Sequence, residues 1–333
     1  MIVKAAATAA AFAVLTCCQK PAQKEDAWSN PAICFGGSSA AGADAAITKA
    51  GEKSFGRDFV VCGIKNIGGD RQFVFPGYEV RYQNPGYSYE FGSQTVRYWD
   101  TAAPSYRFWG FAPKSMAAVL EDEMDSITSD LTPAQALLFH YSDVETVARQ
   151  DFGQTVVLHF ARLGSRIRFG FYERLEGMGV KDLVFSVSGK FMTKARYRLS
   201  SSGLTLVSST RTNTVTVPEL PGPIQTDKAL LQKGRDLTDW IPVLPLASSE
   251  LSITIESCTF TKDGAADTMD LVDPITVDVP ERYRYLDPNR DYSFFFQIAN
   301  VSEDFDHIIF RFDQAIVVDW VDNGAEGIYD FQP

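Results

Sequence analysis

Cys17 and Cys18 are the first residues whose type and place imply chemistry. They follow one cation, Lys4, and an uncharged run of small and apolar residues from Ala5 to Thr16. That run is 12 residues long, whereas a spanning helix needs roughly 20, so it reads as a secretory signal over residues 1–17 and not as a permanent membrane span. Leu15 stands three places before Cys18, with the small Cys17 just ahead of it. This Leu-x-small-Cys spacing marks a signal whose cysteine thiol becomes acylated. Cys17 is the alternative, with Val14 and Thr16 in the corresponding places. Acyl chains on that cysteine would hold the protein on a membrane, each buried methylene contributing about 0.8 kcal/mol.

The other reactive side chains form no constellation. Cys34, Cys62 and Cys258 are odd in number and widely spaced, which is no disulfide framework, and each lies in a strand-like segment where cysteine acts as a small hydrophobe. Neither Cys-x-x-Cys nor His-x-x-x-His spacing occurs, so no zinc or other metal site is expected. His140, His159 and His307 each sit in or beside an apolar run and read as half-buried strand residues. The acidic cluster Glu121, Asp122, Glu123 and Asp125 lacks the interspersed glycine of a calcium loop and reads as a solvated turn. Phosphate-binding glycine loops and the nucleophile-elbow motif are missing. The chain offers no catalytic residue and no cofactor motif.

Composition narrows the class. The 333 residues carry a formal charge of −11, with 31 Lys and Arg against 42 Asp and Glu, which argues against a nucleic-acid partner. Aromatic residues make up 13% of the chain, which favours strands. The length suits two domains, each large enough for its own core.

The elements are short strands. Residues 18–30 are polar and read as a tether, Ala32–Phe35 as a first strand, and Gly36–Gly51 as a flexible Gly, Ala and Ser stretch. From Phe55 onward aromatic and β-branched runs recur at Phe59–Ile64, Tyr78–Tyr82, Tyr87–Phe91, Val96–Trp99 and Tyr106–Pro113, punctuated by Gly, Pro and Asn. Ser142–Arg149 is expected to form a short helix. In the second half Val156, Leu158 and Phe160 share one face at period two, as do Ile167, Phe169 and Phe171. Further strands are expected at Leu183–Ser188, Ala195–Leu199, Thr214–Val217, Leu251–Thr261, Ile275–Val279, Tyr292–Ile298, His307–Phe312 and Ala315–Trp320, with a tight turn at Asp263-Gly264. Trp99, Trp109 and Trp320 fall at core or edge strand positions. The fold class is all-β, divided as 31–150 and 151–333.

Four passages, in order, resemble the fimbrillin family, the lipid-exported subunits of type V pili. Thr48-Lys49-Ala50 followed by Phe59-Val60-Val61-Cys62-Gly63 is similar to the family's Thr-Arg-Ala and Phe-x-Val-x-Gly strand. Tyr98-Trp99 with Tyr106-Arg107-Phe108-Trp109-Gly110-Phe111-Ala112-Pro113 resembles its Tyr-Trp-x-Phe-x-Ala-x-x-Pro passage. Val157–Ile167 and Leu286–Phe294, with Trp320 downstream, resemble two later ones. Arg162 stands where the family has His, Asn289 where it has Gly, and Lys49 where it often has Arg.

The resemblance implies two tandem transthyretin-like β-sandwich domains. It also implies export as a lipoprotein of the outer membrane and cell surface, then proteolytic removal of the first strand at Lys49 or Arg57. The groove so opened would take a strand from the next subunit, which is donor-strand complementation. Three or four inward apolar side chains at ~1.5–3 kcal/mol each would supply roughly 5–12 kcal/mol. The implied partners are other fimbrillin subunits, a host or bacterial surface receptor, and the membrane through the lipid. Asp-Ser/Thr-hydrophobic triplets at Asp100-Thr101-Ala102, Asp125-Ser126-Ile127 and Asp267-Thr268-Met269 match an O-glycosylation pattern of such bacteria. The alternative is a surface lipoprotein that binds glycans for nutrient uptake, for which an exposed aromatic row is expected. A third reading, a secreted β-sandwich hydrolase, requires paired carboxylates in a cleft.

Overall fold

A computed structural model describes residues 30–319, apart from 40–54, 85, 176–177, 218–219, 221–223, 226–230, 232–235, 248–249, 263–267, 272 and 301–307. The alternating and aromatic runs become strands. In the first half these are β1 (Phe35–Ser39), β2 (Phe59–Ile67), β3 (Asp70–Gln83), β4 (Gly86–Ser88), β5 (Ser105–Ala112), β6 (Ala117–Val119), β7 (Ser126–Thr128), β8 (His140–Ser142), β9 (Glu145–Ala148) and β10 (Val156–Arg162). The second half adds β11 (Ser165–Arg174), β12 (Met178–Ser200), β13 (Gly203–Val215), β14 (Ile241–Val243), β15 (Leu246–Ala247), β16 (Leu251–Lys262), β17 (Thr268–Asp270), β18 (Ile275–Asp278), β19 (Tyr285–Leu286), β20 (Arg290–Asn300) and β21 (Ile308–Asp319). The protein is all-β.

The first sheet runs β1-β10-β8-β5-β2-β3-β4, with β9 also on β5. It curls until its first strand meets its last: Gly37 lies against Tyr87, and Phe35 against Phe75 and Tyr89. An aromatic core fills the concavity, including Phe35, Phe59, Phe75, Trp99, Tyr106, Phe108 and Phe160. Its convex face is covered too, by a second cluster joining Val60, Cys62, Ile64, Trp109 and Phe111 to Met192, Tyr197 and Leu199 of β12. Burial on both faces is why Phe59–Ile64 reads as an unbroken apolar run instead of an alternation.

Two further sheets sandwich the largest core. The four-stranded β14-β11-β20-β21 packs through Ile167, Phe169, Phe171, Phe294 and Phe296 against the sheet built on β12 and β16, through Val187, Phe191, Leu251, Ile253 and Phe260. β12 is 23 residues long and serves both cores. At ~3.3 Å per residue such a strand outruns a single sandwich.

Some expectations change. Ser142–Arg149 is not a helix: it forms the end of β8, then β9, then a single 3-10 turn at Arg149–Asp151. Glu145–Ala148 zips against Ser105–Phe108 and buries Val147, so pairing overrides the helical pattern. The short helix is Pro133–Ala136 (α1), where Thr132 and Gln135 form a capping box. Leu183–Ser188 and Ala195–Leu199 are one strand, β12. The first strand is displaced: Ala32 makes only an isolated bridge to Tyr98, and the regular strand runs from Phe35, the last residue of the expected strand, to Ser39 in the stretch expected to be flexible. The tight turn at Asp263-Gly264, His307 and Trp320 lie outside the described residues.

Candidate functional site

The site that topology singles out is the edge where β1 docks. β1 pairs in parallel with β10, Phe35 opposite Val156 through to Ser39 opposite Phe160. The preceding residues pair on their other side: the Ile33 N–H donates to Arg97 O at 2.8 Å, and the Trp99 N–H donates to Pro31 O at 3.0 Å. The Val156 N–H donates to Cys34 O at 2.8 Å, and the Tyr89 hydroxyl donates to Ile33 O at 2.7 Å. A short strand at the edge of a sheet is a natural point of strand exchange.

Period-two geometry sends Ile33, Phe35 and Gly37 inward. Ile33 is 0% and Phe35 2% exposed. The Phe35 ring meets those of Phe75, Phe108 and Tyr89 edge-on at 5.0, 5.5 and 5.7 Å. At Gly37 a side chain would be crowded, since a Cβ would lie 3.1 Å from Phe55 Cβ and 3.1 Å from the Tyr87 hydroxyl, and both would have to give way. The groove therefore receives two large side chains from this strand, not three or four. Their gross burial is worth ~3–6 kcal/mol, about half the range expected from sequence.

Ser38 points the other way, is buried, and its Oγ shares a 2.7 Å hydrogen bond with Nδ1 of the exposed His159. Burial holds the nearby Glu145 carboxyl above the usual range, an effect His159 opposes. His140 is buried, with Nδ1 3.0 Å from Leu138 O. Burial pushes the Cys62 and Cys258 thiols up to about 12, so both are inert, while Cys34 on the docked segment is half-buried. Among the described residues no three His, Cys, Asp or Glu side chains gather to hold a metal.

Cys17, Cys18 and Lys49 lie outside the described residues. Arg57 is exposed in a bend two residues before β2. Both its neighbours are tied down: the Gly56 N–H donates to the Tyr87 hydroxyl at 3.0 Å, and Asp58 Oδ1 accepts the Tyr82 N–H at 2.8 Å. Of the glycosylation triplets, Thr101 is exposed, Ser126 is 1% exposed and closed to modification in the folded chain, and the Thr268 side chain is outside the description. Trp99 and Trp109 are wholly buried core residues. The exposed rings Phe73, Tyr98 and Tyr285 lie on separate strands and segments, and among the described residues no ring contact joins two of them. Sequence reasoning located the docked segment but missed Gly37, Ser38, Phe55, Tyr87 and His159. The alternation Ile33-x-Phe35-x-Gly37 was the available signal.

Two departures from the fimbrillin pattern meet in space. Asn289 has φ 61°, a left-handed conformation that asparagine tolerates in place of glycine. Its Oδ1 accepts the Arg162 N–H at 3.3 Å.

No family profile matches the chain, and no curated protein matches it. Solved structures do. The chain is similar to a fimbrial protein from Bacteroides vulgatus ATCC 8482, at 11% identity over 88% of this chain and 100% of that one, with a TM-score of 0.48. It is similar to a protein assigned to cell adhesion from Bacteroides uniformis ATCC 8492, at 14% identity, covering 87% and 99%, with a TM-score of 0.44. The fimbrial anchor protein of Porphyromonas gingivalis aligns at 8% identity, covering 87% and 98%, with a TM-score of 0.38.

Proposed function

We propose that the chain is a fimbrillin-like subunit of the bacterial cell surface, structural or adhesive rather than enzymatic, assembled by strand exchange. One observation carries the reading. β1 is an edge strand that, with the residues just before it, seats Ile33 and Phe35 in the aromatic core, and residues 40–58 of the sequence link it to β2. Cutting that link would leave a strand held by non-covalent contacts alone, and a like strand from another subunit could then replace it. The order of sequence passages that resemble fimbrillins supports the same reading.

In this proposal Cys18, or Cys17, carries the lipid that attaches the subunit to the outer membrane. Cleavage falls at Lys49 or at Arg57, and a cut at Arg57 first requires release of the bonds that fix Gly56 and Asp58. Two transthyretin-like sandwich units belong to the same proposal, with β10 counted in the first because it carries β1. Partners are other fimbrillin-like subunits and a surface receptor.

Brief trypsin treatment of the purified chain tests this. The expected result is a ladder on an unboiled SDS gel, with a new N-terminus at Ala50 or Asp58. A cleaved chain that stays monomeric would refute assembly by strand exchange.

A further inference from the structure

The third inward position of the docked strand is filled by a residue that does not belong to it. Phe55 is 5% exposed, its ring stacks on Phe160 at 4.3 Å and 16°, and it stands 5.2 Å from the His140 ring. Its N–H donates to Gly37 O at 2.9 Å, which brings Phe55 Cβ to the place where a Cβ on residue 37 would have to fit. Gly37 and Phe55 are thus complementary: the strand carries no side chain there because the returning chain supplies one. Phe55 is joined to β2 only through Gly56, Arg57 and Asp58.

We propose that Phe55 is a resident plug that decides which strand the groove accepts. This rests on the strand-exchange reading. A break between residues 39 and 55 removes the strand and leaves Phe55 over Phe160. The groove then takes an extended segment of another subunit, parallel to β10, whose inward residues are aliphatic, aromatic and glycine in alternation. A break after Arg57 removes Phe55 as well and opens the space over Phe160; the Tyr87 hydroxyl and the Phe59 ring remain as walls of the third inward position, which then admits a β-branched apolar side chain such as valine. The place of the cut therefore sets the chemistry of the partner strand.

The test uses the full chain with one engineered protease site, placed either between Lys49 and Ala50 or between Arg57 and Asp58. Each cleaved form is titrated with fluorescent peptides spanning Asn30–Ser39, native or carrying Gly37→Val. The Lys49 form is expected to bind the native peptide at least about tenfold more tightly than the valine peptide, because overpacking at that position is costly. The Arg57 form is expected to lose or reverse that preference. Equal preference in the two forms, or binding by the Arg57 form alone, overturns the plug and leaves strand exchange standing. If neither form binds either peptide, strand exchange itself is refuted, and the plug with it.

Discussion

Replacing Phe35 by alanine should undock the first strand without unfolding the rest. Phe35 is 2% exposed and touches three aromatic rings. Truncating a buried phenylalanine costs ~3–5 kcal/mol. The two inward side chains, Ile33 and Phe35, gain only ~3–6 kcal/mol in gross burial, before the entropy of ordering the segment is set against it. The loss therefore rivals everything that holds the segment down. The remaining core of the first sheet, centred on Phe59, Phe75, Trp99 and Phe108, is built from other strands and keeps the contacts among its own rings. Hydrogen exchange reads the difference. The amides of Ile33, Val156 and Trp99 bond across the docking seam. Their protection should fall by about two to three orders of magnitude, at ~1.4 kcal/mol per tenfold, while the amides between β2 and β5 hold theirs. Ile33→Val is the mild control, with a cost of ~0.5–1.5 kcal/mol. If the seam amides and the β2–β5 amides lose protection together, β1 is part of the cooperative unit and cannot act as an exchangeable strand.

Other perturbations probe the scaffold. Burial raises the Cys62 and Cys258 thiols from 9.0 to about 12. The unfolded chain gives up these protons first, so their stabilising contribution is complete below pH 9 and is lost as pH rises toward 12. Urea midpoints at pH 8, 10 and 11 should fall steeply, and Cys62→Ala should make the fall shallower by about 1.4 kcal/mol per pH unit. Arg166 grips Asp291 through two bonds of 2.9 and 2.6 Å, and Asp291 is 6% exposed. Arg166→Ala should cost ~3–5 kcal/mol in chemical denaturation, whereas Arg166→Met with Asp291→Leu should recover most of it. Trp99 is 0% exposed and its ring stacks on Phe152 at 4.4 Å, while its backbone N–H donates to Pro31 O. Trp99→Ala should cost ~3–5 kcal/mol by thermal unfolding and also expose the seam amide of Ile33.

What the sequence shows of this fold depends on how each strand is buried. β2, β10, β11, β16 and β20 are legible because their side chains either alternate or are covered on both faces. β12 is legible only in pieces, since its pairing shifts register near Ser188, Met192 and Arg196, and each bulge resets the period on which the eye relies. β9 is hidden because Glu145–Ala148 becomes a strand only through the edge of β5. The docking site divides in the same way. Ile33 and Phe35 are visible as apolar residues at period two. Gly36–Ser39 is not, because glycine and serine signal a loop when read locally. The strand there exists because β10 supplies the ladder, Phe55 fills the space over Gly37, and His159 receives Ser38. A glycine whose missing side chain is supplied by a residue far along the chain has no local signature. It becomes readable only once the path that returns the chain to it is known. Phe55 stands out in the sequence only as the head of the aromatic pattern, and its fit to Gly37 is for that reason the part that composition and periodicity leave unmarked.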